Sequence, residues 1–172
     1  NSSISINTLH KKNNKGIVWR ISHNGDTLSK VFSFGDTASV FNQILLNNDC
    51  YCTIIGGLTL APDFKTYYIL ILNLDTNLNV VNQKVIQPFP YKGAGFDRMI
   101  QSNTAIYGLG EAIDQNDIVN PSIIKLNNEF NLVGVQTYPF YNGTGVFSGE
   151  FVDAIFSPDS SQIYTFPRKF SP

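Results

Sequence analysis

Phe41-Asn42-Gln43-Ile44-Leu45-Leu46, Phe96-Asp97-Arg98-Met99-Ile100-Gln101 and Phe151-Val152-Asp153-Ala154-Ile155-Phe156 read as one short apolar strand met three times. Their phenylalanines stand 55 residues apart. Self-similarity at a fixed period of this length marks one supersecondary unit repeated along the chain. The match extends on both sides of the phenylalanines. Ile21, Leu74 and Leu126 correspond, preceded two residues earlier by Trp19, Leu72 and Ile124, with Arg20, Asn73 and Lys125 between. That alternation is the mark of a strand with one face in a core.

Each of these strands runs into a polar turn: Ser22 to Asp26, Asp75 to Asn77, and Asn127 to Glu129. Asn, Asp and Gly tolerate left-handed backbone angles and bond their own backbone, so they suit turns. A second strand follows each turn, at Leu28 to Phe34, Val80 to Ile86 and Leu132 to Tyr138, which makes a hairpin. Then come a longer loop, the Phe-led strand, another turn, and a last strand in which Tyr51, Tyr107 and Tyr164 stand at one register. Small residues follow the tyrosine in two copies, Gly56-Gly57 and Gly108 with Gly110. One unit is therefore four strands in meander order, and no stretch carries convincing helical periodicity. The sequence divides into an N-terminal extension over 1–15 and a β-repeat domain over 16–172, with repeats near 16–66, 67–120 and 121–172. Within the extension, Ser3 to Asn7 reads as an added strand.

With 172 residues, 42% hydrophobic and 13% aromatic, the chain can bury a real core and is not a disordered segment. Only 15% of residues are charged and the net charge is −1, which offers nucleic acid or an anionic membrane surface no electrostatic attraction. No apolar run reaches the roughly 18 residues that a bilayer span requires, so no membrane insertion is expected. The sequence opens on Asn1 without a signal peptide and reads as a mature form or a fragment.

Four-stranded units of this length repeated in tandem predict an all-β architecture of antiparallel blades, a β-propeller. The residues carry a resemblance as well. Val18 to Phe32 (VWRISHNGDTLSKVF), followed by Phe41-x-x-Ile44 and Asn48 to Gly56 (NDCYCTIIG), resembles a propeller repeat of secreted and surface bacterial proteins. The likeness spans about residues 16 to 166. Leu78 and Phe130 stand where the first copy has its turn glycine, Gly25. The resemblance implies an extracellular or cell-surface, non-catalytic propeller and transfers no functional residue. In such a fold the Phe-led strand is the inner strand of each blade. The chain then starts with the outer half of one blade, holds two whole blades and ends with an inner half. Three repeats do not close a ring of at least four blades. The expectation is a partial propeller, or one completed by further segments or copies of the chain. The alternative is a three-fold domain, a β-trefoil or β-prism.

Sites for chemistry are few. His10 and His23 are the only histidines, and His23 falls in a turn whose counterparts are Thr76 and Asn128. Cys50 and Cys52 have no second thiol pair to complete a zinc site and read as free thiols. No metal and no cofactor is expected. Asp97, Glu111, Glu150 and Asp153 lie on or near the inner strands, and a carboxylate pair there would suit hydrolysis. Asp114-Gln115-Asn116-Asp117 has a faint calcium-loop look but lacks the turn glycine and distal glutamate. Gly93-Ala94-Gly95 and Gly143-Thr144-Gly145 precede no helix, read as flexible loops and offer no phosphate cradle. Asn1 and Asn142 match the glycosylation acceptor pattern.

The best contact candidates are loop aromatics at matching places in two repeats. These are Phe89 and Tyr91 in Pro88-Phe89-Pro90-Tyr91, and Phe140 and Tyr141 in Tyr138-Pro139-Phe140-Tyr141. Rigid exposed aromatics anchor proteins or sugars well. The expected function is protein binding or structural assembly, with no catalytic residue. A carbohydrate-binding, lectin-like module with a glycan ligand is the first alternative, and a fragment of a propeller hydrolase the second.

Overall fold

The computed structural model describes residues 2–9, 15–35, 37–46, 52–59, 67–141, 146–147, 149–159 and 162–169. The described residues form strands, turns and bends, without helix. In chain order the strands are β1 (Ser2–Leu9), β2 (Lys15–Ser22), β3 (Thr27–Phe32), β4 (Ala38–Leu46), β5 (Cys52–Thr59), β6 (Tyr67–Leu74), β7 (Val80–Ile86) and β8 (Gly93–Gln101). They continue with β9 (Ile106–Ile113), β10 (Val119–Leu126), β11 (Leu132–Thr137), β12 (Phe140–Tyr141), β13 (Val146–Phe147), β14 (Gly149–Phe156) and β15 (Ile163–Lys169).

The strands make antiparallel sheets in the orders β1-β2-β3, β4-β5-β6-β7, β8-β9-β10-β11, β12-β13 and β14-β15. Each complete sheet is a meander that opens on a Phe-led strand and ends on a hairpin. The expected strand in the N-terminal extension is present as β1, paired to β2 from Ser2↔Ser22 to Leu9↔Lys15. The chain divides into two units, Asn1–Val85 and Ile86–Pro172.

In the first unit the β1–β3 sheet packs on the β4–β7 sheet. Val18 and Phe32 meet Phe41, Ile54, Leu70 and Leu72 in one buried cluster. In the second unit β14 packs across β8, β9 and β10, and Phe151 and Ala154 close on Leu109, flanked by Ile100, Ile123 and Ile163.

The three phenylalanines share one local geometry. Each is followed by a β-bulge: the ladder steps from Phe41↔Gly56 to Gln43↔Ile55, from Phe96↔Gly110 to Arg98↔Leu109, and from Phe151↔Pro167 to Asp153↔Phe166. Asn42, Asp97 and Val152 are the extra residues. A bulge bends its strand and turns the neighbouring side chains. All three phenylalanines are buried. Burying each ring stabilises the fold by roughly 1.5–3 kcal/mol. The sequence reading opens these strands at the phenylalanine and leaves Gly93-Ala94-Gly95 as a loop. Instead β4 and β8 begin three residues earlier, because pairing continues through the bulge.

The bulge also explains the glycines. A Cβ on Gly56 would lie 1.9 Å from the Val40 carbonyl oxygen, and one on Gly110 would lie 2.4 Å from that of Gly95. The crowding is from backbone, which cannot rotate away. Gly16 is cleared for a different reason: its Cβ would meet the Phe41 ring at 2.3 Å.

The tyrosine register needs one correction. The structural counterparts are Thr53, Tyr107 and Tyr164, opposite Leu45, Ile100 and Ile155. The turns before them differ in length, joining Leu46 to Cys52, Gln101 to Ile106 and Phe156 to Ile163. Tyr51 lies outside the described residues, and the turn-length difference moved its apparent match.

Replacing Gly56 or Gly110 by alanine should lower stability by about 1–3 kcal/mol through overpacking. Gly57→Ala is the control, since its Cβ would come no nearer than 3.9 Å to any neighbour. Chemical denaturation midpoints read the difference. Equal effects at Gly56, Gly110 and Gly57 would remove the bulge from its role.

Candidate functional site

Four turns share one backbone plan. The N–H of Ser22, Asp75, Asp114 and Asn127 donates to the carbonyl four residues on, at 2.8, 3.0, 3.0 and 2.9 Å. Their own carbonyls accept from Gly25, Leu78, Asp117 and Phe130, all of which have positive φ. This is a three-residue hairpin loop closing on a left-handed residue, where glycine is preferred. Leu78 at φ 61° and Phe130 at φ 57° hold it without glycine. The left-handed form costs an L-residue about 1–2 kcal/mol. At Leu78, 1% exposed in the first unit's core, burial of the side chain offsets that cost.

The first residue of the turn supplies the rest. Asp75 Oδ1 accepts from the N–H of Asn77 and Asn79 at 2.8 and 2.7 Å. Asp114 Oδ1 does the same for Asn116 and Ile118 at 2.8 and 2.9 Å, and Asn127 Oδ1 for Glu129 and Asn131 at 3.1 and 2.7 Å. The faint calcium loop at Asp114 is therefore a capped turn, its carboxylate bound to its own backbone. Among the described residues no group of three His, Cys, Asp or Glu side chains is placed to hold a metal ion.

Two of the candidate carboxylates, Asp97 and Asp153, take different places in the repeat. Asp97 is the extra residue of its bulge, whereas Asp153 comes after its own. The counterpart of Asp153 is Arg98, and the two form an ion pair at 3.1 Å, both about half exposed. Asp97 is exposed and engaged in an interaction of its own. Glu111 likewise has a partner, and His23 is exposed in its turn. Cys52 is a buried free thiol, and burial pushes its pKa up, away from thiolate reactivity. Cys50, His10, Asn1 and Asn142 lie outside the described residues.

Two surfaces stand out for contact. The first is the Phe89 loop. Phe89 is 81% exposed, on a turn braced from three sides. Gln115 donates to the Pro90 carbonyl, Lys92 pairs with Asp117 at 2.8 Å, and the Tyr91 hydroxyl sits 3.5 Å from that of Thr137. Tyr91 is thus half-buried bracing, while Phe89 is the presented tip. Phe140 and Tyr141 do not form a matching loop. Their backbone makes strand β12, paired with β13.

The second surface was not legible as a site in the sequence. On the two-stranded β14–β15 sheet, Ile155, Tyr164 and Phe166 are 62, 54 and 61% exposed. Ile155 faces Tyr164 across the ladder, so the three share the outward face. Beside β15 a groove of about 350 Å³ runs over the outer strands, lined by Tyr107, Ile123, Lys125, Gln136, Tyr138 and Ile163. The Lys125 ammonium lies over the Tyr107 ring, 5.6 Å from its centre. The alternation of Ile155, Tyr164 and Phe166 reads from sequence as an ordinary strand, and only their exposure in the structure marks the face as open.

No family model matches the sequence, and no curated protein matches it either. Among the described residues no helix is long and apolar enough to cross a membrane.

The Asp75 carboxylate is held below its usual pKa of 3.8, first by the backbone N–H of Asn79, then by the Asn79 side chain, with Asn77 and Lys30 assisting. A carboxylate depressed in the folded state stabilises above its unfolded pKa, and the gain is lost as pH falls through the folded value. Asp75→Asn keeps the acceptor, as Asn127 does in its own turn, but loses the charge. The variant should melt below the parent at neutral pH, with the gap closing as pH drops below about 3.8. A gap that persists to the lowest pH at which the chain still folds would deny the carboxylate this role.

Proposed function

We propose that this chain is a non-catalytic, propeller-type β-repeat module that works through protein contacts, in structural assembly or partner binding. The observation that carries this reading is the outward face of the β14–β15 sheet. It places Ile155, Tyr164 and Phe166 in one exposed apolar patch on a sheet half as wide as the complete ones. Contiguous exposed apolar surface of this kind marks interaction sites. The meander order of the complete sheets, each opening on a Phe-led strand, supports the blade reading. Extracellular or cell-surface placement follows from the resemblance of residues 16 to 166 to secreted and surface propeller repeats. The ion pair with Arg98 engages one of the hydrolase alternative's four candidate carboxylates, Asp153.

A second reading has its own observation. The groove walls of Tyr107 and Tyr138, with the polar Gln136 and Lys125, suit a sugar ring stacked on an aromatic face. Binding on a glycan array that is lost in Tyr138→Ala would favour this lectin-like reading over the first.

Sedimentation of the full chain across a wide concentration range tests the protein-contact reading. The expected result is association that weakens strongly in Ile155→Glu with Phe166→Glu. A chain that stays monomeric throughout overturns assembly by this face.

A further inference from the structure

The β14–β15 sheet and the β2–β3 hairpin are complementary halves of the same four-stranded meander. In the complete sheets, β5 pairs with β6 and β9 with β10, through Cys52↔Leu74 and Ile106↔Leu126. Ile163 is the counterpart of Cys52 and Ile106, since all three pair with the fifth residue after the phenylalanine. Ile21 is the counterpart of Leu74 and Leu126, since each immediately precedes its turn. Thus β15 has the form of a strand that carries a hairpin on its far edge, yet among the described residues it pairs only with β14. Conversely, β2–β3 has the form of a hairpin carried on such a strand, and β1 occupies that edge of β2.

We propose that β15 of one copy pairs with β2 of a second copy and displaces β1, completing a four-stranded sheet β14-β15-β2-β3 between two chains. This rests on the assembly reading above and gives it a partner, a register and a displaced element. The register sets Ile163 opposite Ile21, Tyr164 opposite Arg20, Thr165 opposite Trp19, and Phe166 opposite Val18.

The side chains fit this register. At the matching place in the complete sheets, Lys125 lies over Tyr107, and Asn73 bonds Thr53 at 2.8 Å. Arg20 opposite Tyr164 repeats the cation-over-ring pair, a favourable contact of charge with the ring face. Against β1, Arg20 stands opposite Ile4, and its guanidinium reaches instead to the Thr76 carbonyl. The arriving β2–β3 hairpin also has a place to lie. The groove beside Ile163, over β10 and β11, is the surface that a four-stranded sheet would cover and a two-stranded sheet leaves open.

Joined within one copy, these 172 residues make three four-stranded sheets, below the four to eight of closed propellers. Two copies, each giving one half-sheet and taking another, make six. In the free chain β1 covers the β2 edge, which would otherwise be open to unspecific strand pairing.

Cross-linking tests the register. Chains carrying Arg20→Cys and chains carrying Tyr164→Cys, both with Cys50→Ser and Cys52→Ala, are mixed under mild oxidation. Directly opposed residues fall within disulfide reach, whereas the diagonal pair made with Phe166→Cys lies near 7–8 Å, beyond it. The expected result is a mixed dimer from Arg20→Cys with Tyr164→Cys, and several-fold less from the diagonal pair. Ile4→Pro with Ser5→Pro removes one N–H aimed at β2 and should raise the cross-linked fraction several-fold. Hydrogen exchange on the unmodified chain gives a second readout: as concentration rises, β15 amides gain protection and β1 amides lose it. Association without the in-register cross-link overturns this pairing and leaves the assembly reading standing, whereas no association overturns both. A disulfide formed within one chain carrying both cysteines, in the monomer, overturns the second copy as partner.

Discussion

The bulge-seated phenylalanine is the constraint on which both units depend. Phe41, Phe96 and Phe151 are each buried beside an extra residue that bends the strand. In each unit one of these rings meets an aromatic from before its own strand: Phe41 lies 5.7 Å from Phe32 in β3 and Phe151 5.3 Å from Tyr138 just after β11, centre to centre. At two of the three bulges the opposing backbone comes so close that it leaves room for glycine alone, at 56 and 110, whereas Pro167 stands opposite the third phenylalanine. A single local distortion thereby sets residue type on one strand, side-chain direction on its neighbour and contact between sheets.

The hairpin turns solve a second problem with mixed chemistry. The same left-handed position is filled by Gly25, Leu78, Asp117 and Phe130. Three of these residues carry the cost of a Cβ in that conformation. An Asx side chain at the turn's first position binds two backbone N–H groups in each of these three, while the glycine turn begins with Ser22. The capping bonds and the glycine are thus alternative ways to hold one geometry, and the sequence uses whichever the core around the turn permits.

Carboxylates that looked available for chemistry are committed elsewhere. Asp114 caps its own turn, and Asp153 faces Arg98. Exposed apolar groups include the tip of Phe89 and the outward face of β14–β15. These groups, and the edge of β15 that has no partner among the described residues, are what the proposed contact function rests on.

The strands were legible in the sequence because alternation recurs, Ile17, Trp19 and Ile21 matching Leu70, Leu72 and Leu74. The order of the four-stranded meander was legible for the same reason. The face was not, since in the first copy the buried cluster takes Val18 from the opposite face and leaves Ile21 37% exposed. The bulge was not, since an extra residue leaves the spacing between repeats unchanged and shows only when two strands are laid side by side. The match of Tyr51 with Tyr107 failed because sequence distance also counts the residues of an intervening turn, which differ in number between copies. Of the candidate contacts, Phe89 was legible as an exposed aromatic between prolines, whereas the patch of Ile155, Tyr164 and Phe166 has the same alternation as a buried strand. The sequence by itself determined which segments pair as strands and where they turn, because those depend on local alternation and turn chemistry. Only the tertiary structure decided which faces are covered and which edge is open, because that depends on how many strands each neighbouring sheet brings to the contact.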